Sequence, residues 1–582
     1  MIFQPAKSYA GSRLGGFVIG MSSLLHDVPI IFGGLALFYA LLVTTHYWLS
    51  PVAEHTQISL SAAALPKYAM YSVLRIVFAY VVSLIFSLVY GYIAAYNARA
   101  EKIMIPLLDT LQSIPVLSFL PGVMVAMISL FPTKQLGVEL GSILLIFTGQ
   151  VWNMAFSFYS SLKAIPREMM EVAKVYRWSL WQRFTQLELP FAAIGLIWNS
   201  MMSVAGGWFF LMACEMFVLG NRDLRLPGLG SYLQTAANAG DTGAIIWGLA
   251  TMIGVIVLMD QLIWRPVIAW AEKFKFEQVE ATEIPHSRIL DLLKSSRILP
   301  LIAARIARPA GERLGLHFAK REEKQIPGEP PNPARQWIAR LIAATALLGI
   351  AYAVVRMVSM LLSLTLGDAR HIALGTGATF LRVELTLAIA ALWTIPVGVA
   401  IGLRPRLAAI AQPIAQVAAS VPATALFPII MLALIQTRGG LGVGSIALLL
   451  LGTQWYILFN VIAGAMAIPT DLKEVCNTFH FGRAQSWREL FLPGIFPYLV
   501  TGLVTASGGA WNASIVAEYI HLKGQTFATL GLGAIISEAT DRGNFAVLLA
   551  STIVMAALVV TINRLVWHKL YVLASTKYKL ET

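Results

Sequence analysis

Two stretches of this chain place a carboxylate, Arg and Trp in surroundings that are otherwise apolar: "EVAKVYRWSLWQRFTQLELP" from Glu171 and "EVCNTFHFGRAQSWRELFLP" from Glu474. The first ends on Leu187, Leu189 and Pro190, the second on Leu490, Leu492 and Pro493, and the separation from Glu to Pro is the same in both. A helical reading sets Ala173 and Cys476 on a small-residue patch beside Glu171 and Glu474, where another surface can approach the backbone closely. Pro190 and Pro493 suit the first turn of a following helix, where a missing N–H costs little. This is the chemistry of docking rather than of bond making. No HExxH or clustered histidine spacing offers a metal site. Cys214 and Cys476 form no CxxC pair and imply no disulfide framework.

A second set of candidates lies inside apolar runs. Glu215 and Glu518 follow "GGW" and "GGAW" near the outer ends of their helices, and a carboxylate at membrane depth is costly enough to be a functional candidate. Two readings fit them: a gate, or a structural acceptor for nearby loop amides. Trp208, Trp511 and Asn512 either line a central path between helices or pack, with neighbouring Gly-Gly pairs allowing close helix approach. Ser113 and Pro115, like Ser420 and Pro422, mark broken helix starts facing the path or plain loop-to-helix turns. Asp260 can pair with Arg265 and Glu384 with Arg382 near the membrane ends.

The elements that must position these residues follow from composition. With 57% apolar and 13% charged side chains in 582 residues and a mean hydropathy of +0.71, the chain is a polytopic membrane protein. Long unbroken apolar runs point to an all-α fold, not to the alternating strands of an outer-membrane barrel. Hydropathy predicts about 12 transmembrane helices: 28 to 49, 70 to 96, 115 to 131, 141 to 163, 191 to 217 and 244 to 270, then 337 to 364, 378 to 403, 421 to 436, 443 to 466, 494 to 519 and 544 to 568. The first run is read as a retained helix, because no small-residue cleavage site follows it. The net charge of +13 sits mainly between apolar runs, as an orientation signal and not a nucleic-acid surface.

The two halves share register. At an offset of 303, Gly149 matches Gly452, Trp152 matches Trp455, Trp208 matches Trp511, Glu215 matches Glu518, and "GLG" from Gly228 matches "GLG" from Gly531. "SIPVLSFLP" from Ser113 corresponds to "SVPATALFP" from Ser420 at an offset of 307. This is a duplicated domain. Residues 1–270 form the first copy, 271–336 a cytoplasmic linker and 337–582 the second copy, with the docking loops at 164–190 and 467–493. Six spans per copy make a parallel repeat. Lys and Arg at Arg99, Lys102, Lys174 to Arg183, Arg404, Arg406, Arg483 to Arg488 and Lys577 to Lys579 all fall on one side if both termini are cytoplasmic. Arg222, Arg225 and Arg542 are exceptions. The linker's "SRILDLLKSSRILPLIAARIA" reads either as an interfacial helix or as part of a tether.

The spacing of the two loops resembles the EAA loop of binding-protein-dependent ABC importer permeases, E-A-A-x3-G-x9-I-x-L-P. The family's second Ala is Val172 and Val475, its third position is Ala173 and Cys476, and its Gly is Arg177 and His480. A Gly there would permit a left-handed cap after the helix; Gly482, two residues on, is the candidate substitute in the second copy. "TFLRVELTLAIAALWTIPVGVAIGLRPRL", "TGLVTASGGAWNASIVAEYI" and "GLGAIISEA" are most similar to the nitrate, sulfonate, taurine and bicarbonate group, and the second half fits better than the first. The resemblance implies two fused type I permease repeats in a bacterial inner membrane, each loop serving as a coupling helix on a cytoplasmic ATPase. It also implies two ATPase subunits that hold ATP and Mg, and an extracytoplasmic substrate-binding protein. The chain has no GxxxxGK[ST], so it supplies no nucleotide site and no catalysis of its own. Parallel six-helix repeats also describe secondary active transporters, the alternative reading. Only the first explains the paired loops.

Overall fold

A computed structural model of the protein describes residues 13–51, 57–219, 222–274 and 287–577, except 297, 303, 306–307, 324–332, 428–429, 431–439 and 523–524. The first copy runs α1 (Arg13–Leu49), α2 (Leu65–Tyr96), α3 (Ala98–Ser113), α4 (Leu120–Leu130), α5 (Leu136–Lys163), the short α6 (Arg167–Val175) and α7 (Leu180–Arg183), and α8 (Leu189–Glu215). A hairpin of β1 (Val218–Leu219) and β2 (Arg222–Asp223) follows, then α9 (Leu229–Ala239), α10 (Thr242–Met259) and α11 (Arg265–Ala271). The connecting segment carries α12 (Arg288–Ser295), α13 (Ile298–Ile302) and α14 (Arg308–Glu323). The second copy repeats the pattern with α15 (Pro333–Leu361), α16 (Leu366–Gly402), α17 (Pro405–Ser420), α18 (Leu441–Met466), α19 (Thr470–Thr478), α20 (Arg483–Ser486) and α21 (Leu492–Ala517). It closes with β3 (Tyr519–Leu522), β4 (Gln525–Ala528), α22 (Leu532–Asp541), α23 (Phe545–Ile562) and α24 (His568–Lys577).

The protein is a polytopic all-α membrane protein. Among the described residues nine helices are long and apolar enough to cross a bilayer, or up to ten if the pair α3–α4, bent by 86°, is one broken span. The predicted span at 337 to 364 falls on α15, whose apolar stretch is the shorter Leu347–Leu361. The predicted span at 421 to 436 lies in large part outside the described residues; 423–427 is helical. α1 and α15 stand at the periphery with bulky apolar side chains exposed, Phe32 and Leu347 among them, as helices facing lipid do.

Within each copy one central helix carries the packing. α5 sits between α2 and α8, and α18 between α16 and α21. Small residues make the contacts close: a Cβ on Gly402 would come within 2.7 Å of the Ala465 side chain, and one on Gly91 within 2.8 Å of Phe158. The cores cross between copies. Val116, Leu117, Leu120 and Met124 of the first copy bury into a cluster with Trp511 and Ile515, whereas Ala423, Ala425 and Phe427 of the second share a cluster with Trp208, Leu211 and Met212.

A π-helical turn recurs at four matched places: 184–188 and 487–491 before the fifth membrane helices, 260–264 and 563–567 in the sixth. The linker is held against the first copy at two points. α12 packs on α1 and α11, with the Ser296 hydroxyl donating to Asp27 at 2.6 Å, and α14 packs on α7.

Candidate coupling and translocation sites

α6 is short and strongly amphipathic. Its small and apolar face must cover the ends of α5 and α8, so Ala173 is 2% exposed in a cluster with Met154, Phe158, Leu162, Ile165 and Leu187. This corrects the expectation that the small-residue patch awaits another surface: the close approach that Ala173 permits is to the chain's own membrane helices. Cys476 is half-buried against its own core in the same way, and Leu490 is buried. What projects is the opposite face. Glu171 and Glu474 are exposed, and next to them Val172, Val175, Tyr176, Val475 and Phe479 stand in the open, Tyr176 and Phe479 at 72% each. Tyr176 and Phe479 occupy matching positions, which the sequence reading did not single out; an aromatic repeated at the helix end was the available signal.

The turn after each helix is left-handed. Arg177 has φ 50° and His480 φ 51°, at the two positions where the EAA pattern has Gly. The Trp178 N–H donates to the Ala173 carbonyl at 3.0 Å and the Phe481 N–H to the Cys476 carbonyl at 2.9 Å, so both turns satisfy a terminal carbonyl as a left-handed cap does. Gly482 does not substitute for the missing Gly. It is extended, with φ −65° and ψ 159°, and precedes α20.

Pro190 and Pro493 sit in the first turn of α8 and α21 as expected, but no break in the helix precedes them. Helix is continuous from Leu180 to Glu215 and from Arg483 to Ala517. A proline ring inside a helix clashes with the carbonyl four residues back. The π turn just before it relieves this: the Leu189 N–H pairs with the Phe184 carbonyl and the Leu492 N–H with the Trp487 carbonyl. The segment from α7 or α20 and the membrane helix after it are thereby one continuous element. Leu189 is half-buried, whereas Leu492 is exposed.

The two copies differ in what anchors this element. In the first, buried Glu188 accepts from Arg183 Nε and from the Tyr96 hydroxyl, each at 2.6 Å, and Arg183 also donates to the Tyr92 hydroxyl at 3.0 Å. Ser486 and Phe491 stand at the matching positions in the second copy, so that anchor is missing there.

At the opposite end of the fifth helices, Glu215 and Glu518 are structural acceptors. Glu215 accepts from the Ser72 hydroxyl at 2.6 Å, Arg75 Nη1 at 2.8 Å and the Gly230 N–H at 2.7 Å. Arg75, fully buried, also makes a bidentate pair with Glu139 and donates to the Pro227 carbonyl. The second copy repeats the arrangement: Glu518 accepts from Thr379, Arg382 and the Gly533 N–H, and Arg382 reaches the Leu530 carbonyl. Arg382 therefore serves Glu518 and not Glu384, while Asp260 does pair with Arg265 at 3.2 Å. Gly442 takes the place of Glu139, so the second copy has one carboxylate per Arg. The repeated GLG has its reason here, because a Cβ on Gly228 or Gly531 would overlap the Glu215 or Glu518 carboxylate. The sequence reading left out Arg75 and gave Arg382 a near neighbour, Glu384, because the partners Glu215 and Glu518 lie about 140 residues away.

The segments that follow the fifth helices are cross-linked by polar contacts. Gln234 donates to the His521 carbonyl at 2.9 Å. The hydrogen bond with Asp223 raises the Arg225 pKa above its ordinary value against the opposing pull of burial. Burial first, then the hydrogen bond to Asp541, raises that of the Tyr519 hydroxyl.

Near the centre, α3 ends at Ser113 and the chain breaks, with buried Pro115 leading a short helical turn; α17 ends at Ser420 ahead of buried Pro422. Asn512 joins the copies, its Oδ1 accepting from the Leu117 N–H at 3.4 Å, and the Thr552 hydroxyl donates to the Ser118 carbonyl at 3.1 Å. Trp208 and Trp511 are 2% and 0% exposed inside the crossed cores, so in this conformation they pack and line no open channel. The described parts of the broken segments, 116–120 and 423–427, pack in the same cores as Trp511 and Trp208.

The model of the family "binding-protein-dependent transport system inner membrane component" matches residues 87–262 and again 394–568, more than half of the chain. The bicarbonate transport system permease protein CmpB of Synechococcus elongatus is 28% identical over 34% of this chain and 68% of its own length. The taurine transport system permease protein TauC of Escherichia coli is 31% identical over 31% and 61%, and the nitrate import permease protein NrtB of Synechocystis is 27% identical over 32% and 62%. With the family's domain present twice along one membrane-embedded polypeptide, the chain belongs to the binding-protein-dependent transport system inner membrane components, in a fused two-domain form.

Proposed function

We propose that this permease carries a small solute bearing an oxyanion group, in the class of bicarbonate, nitrate or a sulfonate, and is driven by two cytoplasmic ATPases that seat on α6 and α19. The observation that carries the coupling reading is the matched pair of projecting helices, each with an exposed Glu and an exposed aromatic tip closed by a left-handed turn. The substrate class is supported by the names shared among the similar permeases. Selectivity is divided with an extracytoplasmic binding protein, and ATP and Mg belong to the ATPases. Both termini, the coupling segments and the linker at 271–336 lie on the cytoplasmic side.

The geometry suggests how force travels. Closure of the ATPases moves α6 and α19 together. Each is tied through its π turn to a fifth membrane helix whose far end is pinned by an Arg–Glu cluster. A lever held at one end and pushed at the other tilts, and the crossed segments at Leu117 and Asn512 lie between. Tilting separates them and opens the path.

The test is reconstitution in proteoliposomes with the ATPase and the binding protein. Substrate-loaded binding protein should stimulate ATP hydrolysis and uptake, and Glu171→Arg with Glu474→Arg should abolish both while the membrane domain stays folded. Unchanged ATPase co-purification and transport in that double variant would remove the coupling assignment. Uptake under an ion gradient without ATP would replace the ATP-driven reading with secondary transport.

A further inference from the structure

In each copy the second and fifth membrane helices are joined at one end by an Arg–Glu cluster: Ser72 and Arg75 of α2 on Glu215, Thr379 and Arg382 of α16 on Glu518. The first copy has a second tie at the other end. There α2 closes with Tyr92 and Tyr96 against the segment that leads into α8. Buried Glu188 accepts from the Tyr96 hydroxyl and from Arg183 Nε, each at 2.6 Å, and Arg183 donates to the Tyr92 hydroxyl at 3.0 Å. The guanidinium also lies 4.7 Å from the centre of the Tyr96 ring, and Tyr92 meets Phe184 edge-on at 6.2 Å between ring centres.

Register fixes what stands there in the second copy. At the offset of 307 that carries Arg75 onto Arg382, Gly91 falls on Gly398, and the two do the same work: a Cβ would come within 2.8 Å of Phe158 in the first copy and within 2.8 Å of its match, Val461, in the second. The next position is Tyr92 against Val399, and one turn on Tyr96 against Leu403. With Ser486 and Phe491 in place of Arg183 and Glu188, these four side chains cannot rebuild the tie, and the Ser486 hydroxyl donates to the Gly482 carbonyl of its own turn at 3.2 Å. The contrast recurs one helix on. Glu101 of α3 pairs with Lys163 of α5 at 2.8 Å and accepts from the Tyr159 hydroxyl at 2.6 Å, where the second copy has Ala408, Met466 and Ile462. Charge-assisted hydrogen bonds fix distance and angle. Apolar contact is non-directional and lets packed helices slide.

We infer that Arg183, Glu188, Tyr92 and Tyr96 are positioning residues of transport: tied to the fifth-helix element at both ends, α2 moves with the first coupling segment as one body, whereas α16, tied at the Glu518 end alone, pivots there and slides over the second segment. The inference rests on the coupling reading above. It adds that the two copies answer one ATP-driven stroke unequally, the first turning as a rigid unit and the second deforming.

The test uses the full chain in proteoliposomes with its ATPases and binding protein. Pairs of spin labels carried on introduced non-cysteine residues, which leave Cys214 and Cys476 in place, are read by double electron–electron resonance without nucleotide and after trapping with ATP and vanadate. Ile93 with Gln186 and Ala400 with Glu489 are matching exposed pairs, each reaching from the second helix to the segment before the fifth, and Tyr176 with Phe479 reports the stroke itself. On trapping, the Ile93–Gln186 distance should stay fixed while the Ala400–Glu489 distance shifts by about 2 Å or more. Arg183→Ser with Glu188→Phe gives the first copy the residues of the second and removes both charges together. It should make the Ile93–Gln186 distance nucleotide-dependent and, with ATP hydrolysis retained, cut severalfold the uptake per ATP of whichever of nitrate, bicarbonate and taurine the wild type carries. Tyr96→Phe, which removes a single hydroxyl, should do the same to a smaller degree and decides the matter where the double variant does not fold. If the two wild-type distances respond alike, or if the variants leave both distance and uptake per ATP unchanged, the second tie is refuted as a positioning device and the coupling reading stands. If the Tyr176–Phe479 distance does not respond to ATP either, the coupling reading falls and takes this inference with it.

Discussion

Replacing Arg177 or His480 by Gly should stabilise the turn that follows α6 or α19. Both residues hold φ near +50°, where an L side chain brings its Cβ against the following carbonyl at about 1–2 kcal/mol. Glycine removes that cost but loses about 0.5–1 kcal/mol through its freer unfolded chain. The difference favours Gly by about 0.5–1 kcal/mol per site, a slowing of local opening by about two- to fivefold. Hydrogen exchange measured by mass spectrometry on detergent-purified protein reads this directly. The amides to follow are Trp178 and Phe481, which donate to the carbonyls of Ala173 and Cys476. Lys174→Gly is the control: it lies inside α6 with ordinary helical geometry, and Gly there should speed exchange, at a cost of about 0.5–1 kcal/mol. Faster exchange at Trp178 in Arg177→Gly, or the same change in Arg177→Gly and Lys174→Gly, would refute the left-handed assignment and the strain argument.

The remaining expectations concern the buried clusters and the docking tips. Arg75→Met and Arg382→Met each leave a buried carboxylate without its cation and should cost about 3–5 kcal/mol. The loss should be larger for Arg75, which serves two carboxylates, and thermal unfolding in detergent, with equal and small shifts, would contradict this. Gly228→Ala and Gly531→Ala should each destabilise by about 1–3 kcal/mol because the methyl group overlaps a buried carboxylate; wild-type melting temperatures would show the carboxylates to be placed otherwise. Trp208→Ala and Trp511→Ala should cost about 3–5 kcal/mol as core truncations, so a fall in transport should be matched by a fall in thermal stability. Tyr176→Ala with Phe479→Ala should leave melting unchanged and weaken ATPase retention by about 2 kcal/mol per anchor, roughly 30-fold, in a co-purification titration.

How much was legible along the chain differs by the range of the interaction. The duplication, the paired loops and the helical class are written in period and register, and the family match at 87–262 and 394–568 agrees with them. The inward turn of Ala173 was not legible, because an alanine beside a glutamate fits a partner's surface or the chain's own core equally well. The Arg75 and Arg382 clusters were missed for a related reason: each joins a second-helix arginine to a fifth-helix glutamate, and no local pattern marks the pair. The sequence places Glu215 and Glu518 within apolar runs, but their donors come from α2, α16 and the first turns of α9 and α22, which no local pattern marks.

Sequence alone determines what local chemistry dictates. Apolar run length sets a membrane-spanning helical protein, the repeated Gly, Pro, Trp and Glu set two copies, and the two Leu-x-Leu-Pro blocks set two matched segments. Tertiary structure decides where long-range partners must be found. The left-handed backbone at Arg177 and His480 comes from a turn that geometry forces on whatever residue sits there, so residue type hides it. The crossing of the broken segments between copies, the arginine that answers each buried glutamate and the seating of α14 on half-buried Trp181 all arise because a buried charge or an indole takes the partner that packing brings to it. That partner is set by how helices far apart in sequence fit together.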